Sequence, residues 1–129
     1  MGALRNMADL AEAAKKNVGE IDADELKTAA PGSLIVLDVR EPEERMRGAI
    51  PGSVNIPRGL LEGAIERKLF GGSAKEEDLD KPIVVHCAHG LRSLLAAQSL
   101  KEMGFRNVTS LRGGIHAWAE AGGAIEAPR

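Results

Sequence analysis

Residues 83–93, which read IVVHCAHGLRS, decide the fold of this chain. The run IVV at 83–85 is continuously apolar and β-branched, which is typical of a strand buried on both faces of a parallel sheet. Residues 34–37, with the sequence LIVL, form a second run of this kind. These two runs are predicted to be strands buried on both faces of the sheet.

Outward from these runs, predicted strands and helices alternate along the whole chain. The predicted strands are residues 18–21, 34–37, 54–56, 83–86 and 108–111. The predicted helices are residues 7–14, 22–30, 42–48, 60–70 and 91–103, with a last one after Gly114. The pattern Asp22-Ala-Asp-Glu25 indicates a capping box at the start of the second helix. The alternation predicts an α/β fold: a mainly parallel five-stranded sheet with helices on both faces.

The composition narrows the class of protein. The chain has 129 residues, 43% of them hydrophobic, which fits one globular domain. Its net charge of -2 gives no surplus of cations for nucleic acid, and no apolar stretch is long enough to span a membrane. The N-terminus lacks the apolar segment of a signal peptide. We therefore expect a soluble, cytoplasmic domain with neither nucleic-acid nor membrane partners.

Cys87 is the single cysteine, and it follows a predicted strand and precedes a helix. Ligands of open α/β sheets bind at this end of the strands. The N–H groups of the following helix, a loop turned by Gly90 and the charge of Arg92 all favour a thiolate over a thiol. The alternative interpretation is a small buried hydrophobic residue. A single cysteine excludes an intrachain disulfide and a multi-cysteine zinc site.

The length of this loop indicates its chemistry. Four residues separate Cys87 from Arg92. Cysteine-dependent phosphatases use the longer spacing Cys-x5-Arg, which makes a cradle wide enough for a tetrahedral phosphate. The tighter ring suits a single sulfur atom carried on the cysteine. The spacing therefore favours persulfide chemistry over hydrolysis of phosphate esters.

The sequence resembles the rhodanese family of sulfurtransferases. The family's active-loop pattern Cys-x-x-Gly-x-Arg-Ser is met by Cys87, Gly90, Arg92 and Ser93. The family's continuation is matched by Ala96, Ala97, Leu100, Gly104, Phe105, Asn107, Val108, Leu111, Gly113, Gly114 and Trp118. Upstream, LDVRE at 37–41 and IPGSVNIP at 50–57 match two further signatures. We therefore divide the chain into an N-terminal helical extension, residues 1–16, and a rhodanese-like domain, residues 17–129.

The resemblance implies a two-step reaction that needs no metal and no other cofactor. The Cys87 thiolate attacks the outer sulfur of a donor such as thiosulfate, sulfite leaves, and a persulfide remains on Cys87. Cyanide or a thiol then accepts the sulfur. In this interpretation the catalytic residues are Cys87 and Arg92. The predicted substrate-binding residues are Ala88, His89, Gly90, Leu91, Ser93, Arg40 and Arg58.

Several alternatives stay open at this point. Arg40 could instead form a structural ion pair with Asp38, and Arg58 and His89 could be solvated loop residues. The second loop position is often arginine in the family but is Ala88 here, which removes one cation near the sulfonate of the donor. Leu94 and Leu95 could form an apolar rim for a protein sulfur acceptor.

Alternative functions also remain. The chain could be a persulfide carrier that delivers sulfur to a protein partner. Less favoured are a small cysteine phosphatase or arsenate reductase and a catalytically silent scaffold.

Overall fold

A computed structural model describes residues 2–128 and contains one five-stranded sheet in which all neighbouring strands are parallel. The strands are β1 (Gly19–Ile21), β2 (Ile35–Asp38), β3 (Val54–Asn55), β4 (Ile83–His86) and β5 (Val108–Leu111). Their order across the sheet is β1-β5-β4-β2-β3. This confirms the predicted five-stranded α/β fold, and β4 is its central strand.

Six helices cover the two faces of the sheet. They are α1 (Met7–Ala14), α2 (Ala23–Lys27), α3 (Pro42–Arg45), α4 (Leu61–Phe70), α5 (Leu91–Met103) and α6 (Gly114–Glu120). Residues of α1, α4 and α5 share one apolar cluster with Ile83 and Val85. Residues of α2 and α6 share a second cluster with Val84. Because side chains alternate along β4, its residues contribute to an apolar core on each face of the sheet, as the sequence predicts.

The register of the central strands brings two loops together. Asp38 at the end of β2 pairs with His86 at the end of β4. Beyond the paired strands, the N–H of Val39 still donates to the carbonyl oxygen of His86 at 3.0 Å. Because both strands end at the same edge, the segment after Asp38 lies directly beside Cys87.

Helix α1 packs firmly on the domain. Its N-terminus has a capping box, in which the Asn6 side chain accepts from the N–H of Asp9 and the Asp9 carboxylate accepts from the N–H of Asn6. Ala11 and Ala14 are buried in the cluster that α5 shares. After the helix, Nζ of Lys101 on α5 donates to the carbonyl oxygen of Asn17 at 2.8 Å.

Some local expectations are wrong. Helix α2 ends at Lys27, three residues earlier than predicted, and Asp22 forms an ion pair with Arg112 instead of capping the helix. On α5, Met103 is exposed and Leu94 is fully buried. The burial of Leu94 removes it from the suggested apolar rim, while Leu95 is half-buried against the core. Within residues 2–128, no helix combines the length and apolarity needed to cross a membrane.

Candidate active site

The loop between β4 and α5 directs backbone N–H groups at the sulfur of Cys87. The N–H of Gly90 donates to Sγ at 3.1 Å, and the N–H of Ser93 donates at 3.4 Å. Both groups belong to the first turns of α5, where N–H groups have no partner within the helix. They stabilise negative charge on Sγ through hydrogen bonds and through the positive end of the helix dipole.

The hydroxyl groups of Ser93 and Ser110 extend the hydrogen-bond network around the sulfur. The thiol donates to Oγ of Ser93 at 3.4 Å, and Oγ of Ser110 on β5 donates to the same oxygen at 2.8 Å. Both serines are fully buried. When the thiol loses its proton, the Ser93 hydroxyl can turn to donate to the thiolate while it still accepts from Ser110. Neither serine has to leave its position for this change.

Cys87 lies at the floor of a small cavity. Only 1% of its surface is exposed. The cavity above it has a volume of about 160 Å³ and is lined by Met7, Cys87, His89, Leu91 and Arg92. A small group that enters this opening therefore reaches the sulfur.

The N-terminus of α6 fixes the loop from outside. The N–H of Ile115 donates to the carbonyl oxygen of Cys87 at 2.9 Å, and the N–H of His116 donates to that of Ala88 at 3.2 Å. Gly114 makes this contact possible, because a Cβ atom there would lie 2.4 Å from the carbonyl oxygen of Ala88. With these carbonyls held outward, the following N–H groups of the loop turn toward the sulfur.

Arg92 lies at the cavity wall with its charge paired. Its Nη1 and Nη2 donate to the two carboxylate oxygens of Glu44 at 2.7 and 2.9 Å. The hydrogen bond from Arg92 lowers the pKa of Glu44 to about 2, and the bond to Glu44 raises the pKa of Arg92. The expectation of an unpaired cation beside the sulfur is therefore corrected. The fork of Arg92 joins the active loop to the segment after β2.

We expect Glu44→Gln to reduce stability in a pH-dependent way. At about pH 7 the variant should lose about 1–2 kcal/mol, because a partly exposed bidentate pair is lost. The folded pKa of Glu44 lies below its ordinary value, so its contribution is present above the ordinary pKa of 4.5 and is lost as the pH falls toward about 2. Urea unfolding at several pH values measures the difference, and a difference that persists below about pH 2 would contradict the assignment.

Arg40 forms the structural ion pair that the sequence suggests as an alternative to substrate binding. Its Nε and Nη2 donate to the two carboxylate oxygens of Asp38 at 3.0 and 2.9 Å, and Nη2 also donates to the carbonyl oxygen of Gly48. Arg45 adds a further bond to Asp38 at 3.1 Å. Burial acts to raise the pKa of Asp38, but the hydrogen bond from Arg40, with smaller contributions from neighbouring charges, outweighs it and the pKa is lowered. The ion pair is confirmed, and partners within the protein occupy the guanidinium of Arg40.

The three histidines have different settings. His86 is fully buried, its Nδ1 lies 3.2 Å from the carbonyl oxygen of Cys87, and burial lowers its pKa. His89 is exposed, and its ring centroid lies 5.3 Å from that of His116. His89 and His116 line a second cavity of about 330 Å³ beside the loop, together with Arg47. His89 therefore borders both openings around the active loop.

The structure brings most of the predicted site residues together, with Arg40 and Arg58 as the exceptions. Cys87, Ala88, His89, Gly90, Leu91, Arg92 and Ser93 form the loop and the first turn of α5. Arg58 instead pairs with Glu62 on α4 at 3.0 Å and lies outside the set of residues that line the Cys87 cavity. Among residues 2–128 no group of three or more His, Cys, Asp or Glu side chains is arranged to hold a metal ion.

Three contributors to the site were not assigned from the sequence. Glu44 pairs with Arg92 across 48 residues of sequence, and no local pattern connects the two. Ser110 sits near the carboxyl end of β5, where the strand pattern alone could have indicated it. Met7 comes from the N-terminal helix, and no local pattern connects it to Cys87.

The family model and the sequence relatives indicate the same family. The model of the rhodanese-like domain matches residues 22–121. A sulfurtransferase of Allochromatium vinosum is 34% identical over 113 residues, which cover 86% of this chain and 97% of the relative. Thiosulfate sulfurtransferase GlpE of Shewanella oneidensis is 40% identical over 69% of this chain and 79% of its own length.

A solved structure from Rhodopseudomonas palustris, described as a protein of unknown function and possible tyrosine phosphatase, has a TM-score of 0.81. It is 31% identical, and the match covers 98% of each chain.

Proposed function

The chain belongs to the rhodanese family, and from this premise we propose that it transfers a sulfane sulfur from thiosulfate or a similar donor to a thiophilic acceptor through a persulfide on Cys87. The observation that carries the proposal is the pair of N–H groups, from Gly90 and Ser93, that point at Sγ from 3.1 and 3.4 Å. The relatives named as thiosulfate sulfurtransferases support the choice of donor.

In the first step, the thiolate of Cys87 attacks the outer sulfur of thiosulfate. A new S–S bond forms on Cys87, and the S–S bond of thiosulfate breaks. Sulfite leaves with the electron pair of that bond, so the step needs no external oxidant or reductant. The N–H groups of the loop stabilise the negative charge first on Sγ and then on the terminal sulfur of the persulfide.

In the second step, cyanide or a thiol attacks the terminal sulfur. The S–S bond on Cys87 breaks, the acceptor carries the sulfur away as thiocyanate or a new persulfide, and the Cys87 thiolate is restored. The cavity of about 160 Å³ leaves room above Sγ for one added sulfur and for a small attacking group. A protein thiol would have to present its sulfur at the same opening.

Mass spectrometry of the intact protein tests the proposal. Treatment with thiosulfate should add the mass of one sulfur atom, and later addition of cyanide should remove it and produce an equal amount of thiocyanate. Because Cys87 is the single cysteine, the added mass reports on this residue. Hydrolysis of an aryl phosphate, without added sulfur after thiosulfate, would support a phosphatase instead.

A further test separates the carrier alternative. The thiosulfate-treated protein is mixed with candidate protein thiols and, separately, with cyanide. Rapid transfer to a protein thiol with slow transfer to cyanide would favour a persulfide carrier over small-molecule turnover.

A further inference from the structure

Met7 contributes to the cavity above the catalytic sulfur although it lies outside the family match. It is the first residue of α1, and the family model begins at residue 22. The side chain is half exposed and forms part of the wall of the Cys87 cavity, beside Leu91. A residue of the N-terminal helix is therefore in a position to touch whatever approaches Sγ.

The packing of α1 holds Met7 in this place. The capping box of Asn6 and Asp9 fixes the first turn, with both hydrogen bonds at 2.9 Å. Ala11 and Ala14, which follow Met7 by four and seven residues, lie on the same face of the helix as Met7. Both alanines are buried in the core that α5 shares, and this docking places Met7 in the wall of the cavity. Because the first turn is capped and the second half of the helix is anchored in the core, the methionine is a defined part of the wall.

The rest of the cavity offers little unpaired positive charge. The carboxylate of Glu44 occupies the guanidinium of Arg92. The second loop position is Ala88, which has no charge to offer. His89 is the remaining titratable side chain of the wall, and it is exposed. An inorganic dianion therefore finds few partners here, whereas Met7 and Leu91 offer apolar surface.

We propose that Met7 and Leu91 form an apolar wall that favours donors whose sulfane sulfur is bound to an organic group over inorganic thiosulfate. This inference rests on the proposed sulfurtransferase function and defines its substrate class. Met7 acts as a specificity-determining residue, because its thioether packs against the organic part of the donor while Cys87 attacks the sulfur.

An aromatic thiosulfonate represents this class and keeps the chemistry balanced. The thiolate of Cys87 attacks the terminal sulfur of benzenethiosulfonate and forms the persulfide. The bond between that sulfur and the sulfonyl sulfur breaks, and benzenesulfinate leaves with its electron pair. Thiosulfate reacts by the same displacement with sulfite as the leaving group, so the two donors differ in the apolar ring and in one negative charge.

The first experiment compares kcat/KM for benzenethiosulfonate and thiosulfate, with cyanide as acceptor. In Met7→Ala we expect kcat/KM for benzenethiosulfonate to fall about 5- to 10-fold relative to that for thiosulfate, the range for loss of a few apolar contacts. Leu10→Ala is the matched control, because Leu10 is a similarly exposed residue of α1 that does not line the cavity. The proposal would be overturned if the ratio of kcat/KM for benzenethiosulfonate to that for thiosulfate were unchanged in Met7→Ala, or if it changed equally in Leu10→Ala.

A second experiment does not depend on turnover. The single thiol is modified with benzyl methanethiosulfonate, which is apolar, and with sulfonatoethyl methanethiosulfonate, which is anionic. Met7→Ala should slow modification by the apolar reagent more than modification by the anionic one. Equal slowing of both reactions, or no slowing, would show that Met7 does not discriminate between the two reagents. If no donor forms a persulfide on the wild-type protein, the proposed function fails. The ratio of the two modification rates still decides the role of Met7.

Discussion

Replacing Cys87 by serine is expected to lower the rate of sulfur transfer by at least about 10³-fold, with no persulfide formed. A serine hydroxyl remains protonated at neutral pH and cannot form the S–S bond on which the reaction depends. The side chain is almost isosteric, so the fold should be kept. Thiocyanate production and the mass of the thiosulfate-treated protein measure the two effects.

Ser93→Ala serves as the comparison for Cys87→Ser. Ser93 accepts from the thiol and from Ser110 through its hydroxyl, but its N–H to Sγ does not depend on the side chain. We expect this variant to retain persulfide formation at a rate reduced by about 10-fold. If Cys87→Ser still accumulated sulfur, the assignment of Cys87 as the nucleophile would be wrong. If Ser93→Ala were as inactive as Cys87→Ser, the auxiliary role of the Ser93 hydroxyl would be wrong.

Gly114→Ala is expected to produce the largest loss of stability together with a loss of activity. The backbone of Gly114 has φ of +62°, and an added Cβ would lie 2.4 Å from the carbonyl oxygen of Ala88 and 2.5 Å from that of Cys87. Backbone atoms on both sides cannot move without displacing the loop. We expect the free energy of unfolding to fall by about 2–4 kcal/mol, from left-handed strain and overpacking together.

The same substitution should also slow persulfide formation more than about 10-fold in the folded protein, because the displaced loop turns its N–H groups away from Sγ. Urea unfolding and the rate of sulfur addition from thiosulfate measure the two effects separately.

Gly71→Ala is the matched control for this variant. Gly71 also has a positive φ, of +72°, but a Cβ atom there meets nothing within 4 Å. It should cost about 1 kcal/mol of stability and leave the rate of persulfide formation unchanged. Equal losses of activity in the two glycine variants would contradict the proposed contact between α6 and the active loop.

The fold could be predicted from the sequence because its signals are local. Residues 34–37 and 83–86 are apolar runs whose length and β-branching indicate strands buried on both faces of the sheet, and β2 and β4 lie within one residue of these bounds. The loop after β4 was also predictable, since its position follows from the strand order and its short spacing is visible in the sequence. Helix ends were less predictable, because Asp22 found a long-range partner in Arg112 that competed with capping.

The contacts around the loop could not be predicted in the same way. Glu44 and Arg92 are 48 residues apart in the sequence, and their pairing depends on how α3 is oriented beside the loop. Arg92 was expected to serve the sulfur directly, because a local reading has no competing carboxylate. The position of Met7 depends on where α1 docks. The helix faces that are buried together decide this docking, and no spacing in the sequence encodes it.

The docking of α1 also bears on how the protein acquires its structure. Ala11 and Ala14 complete the same apolar layer as α5, and near the other end of the chain Ala49 and Glu126 exchange two backbone hydrogen bonds at 2.8 and 2.9 Å. Both attachments lie partly outside residues 22–121. We therefore expect the unit that unfolds cooperatively to be longer than the segment that the family model matches.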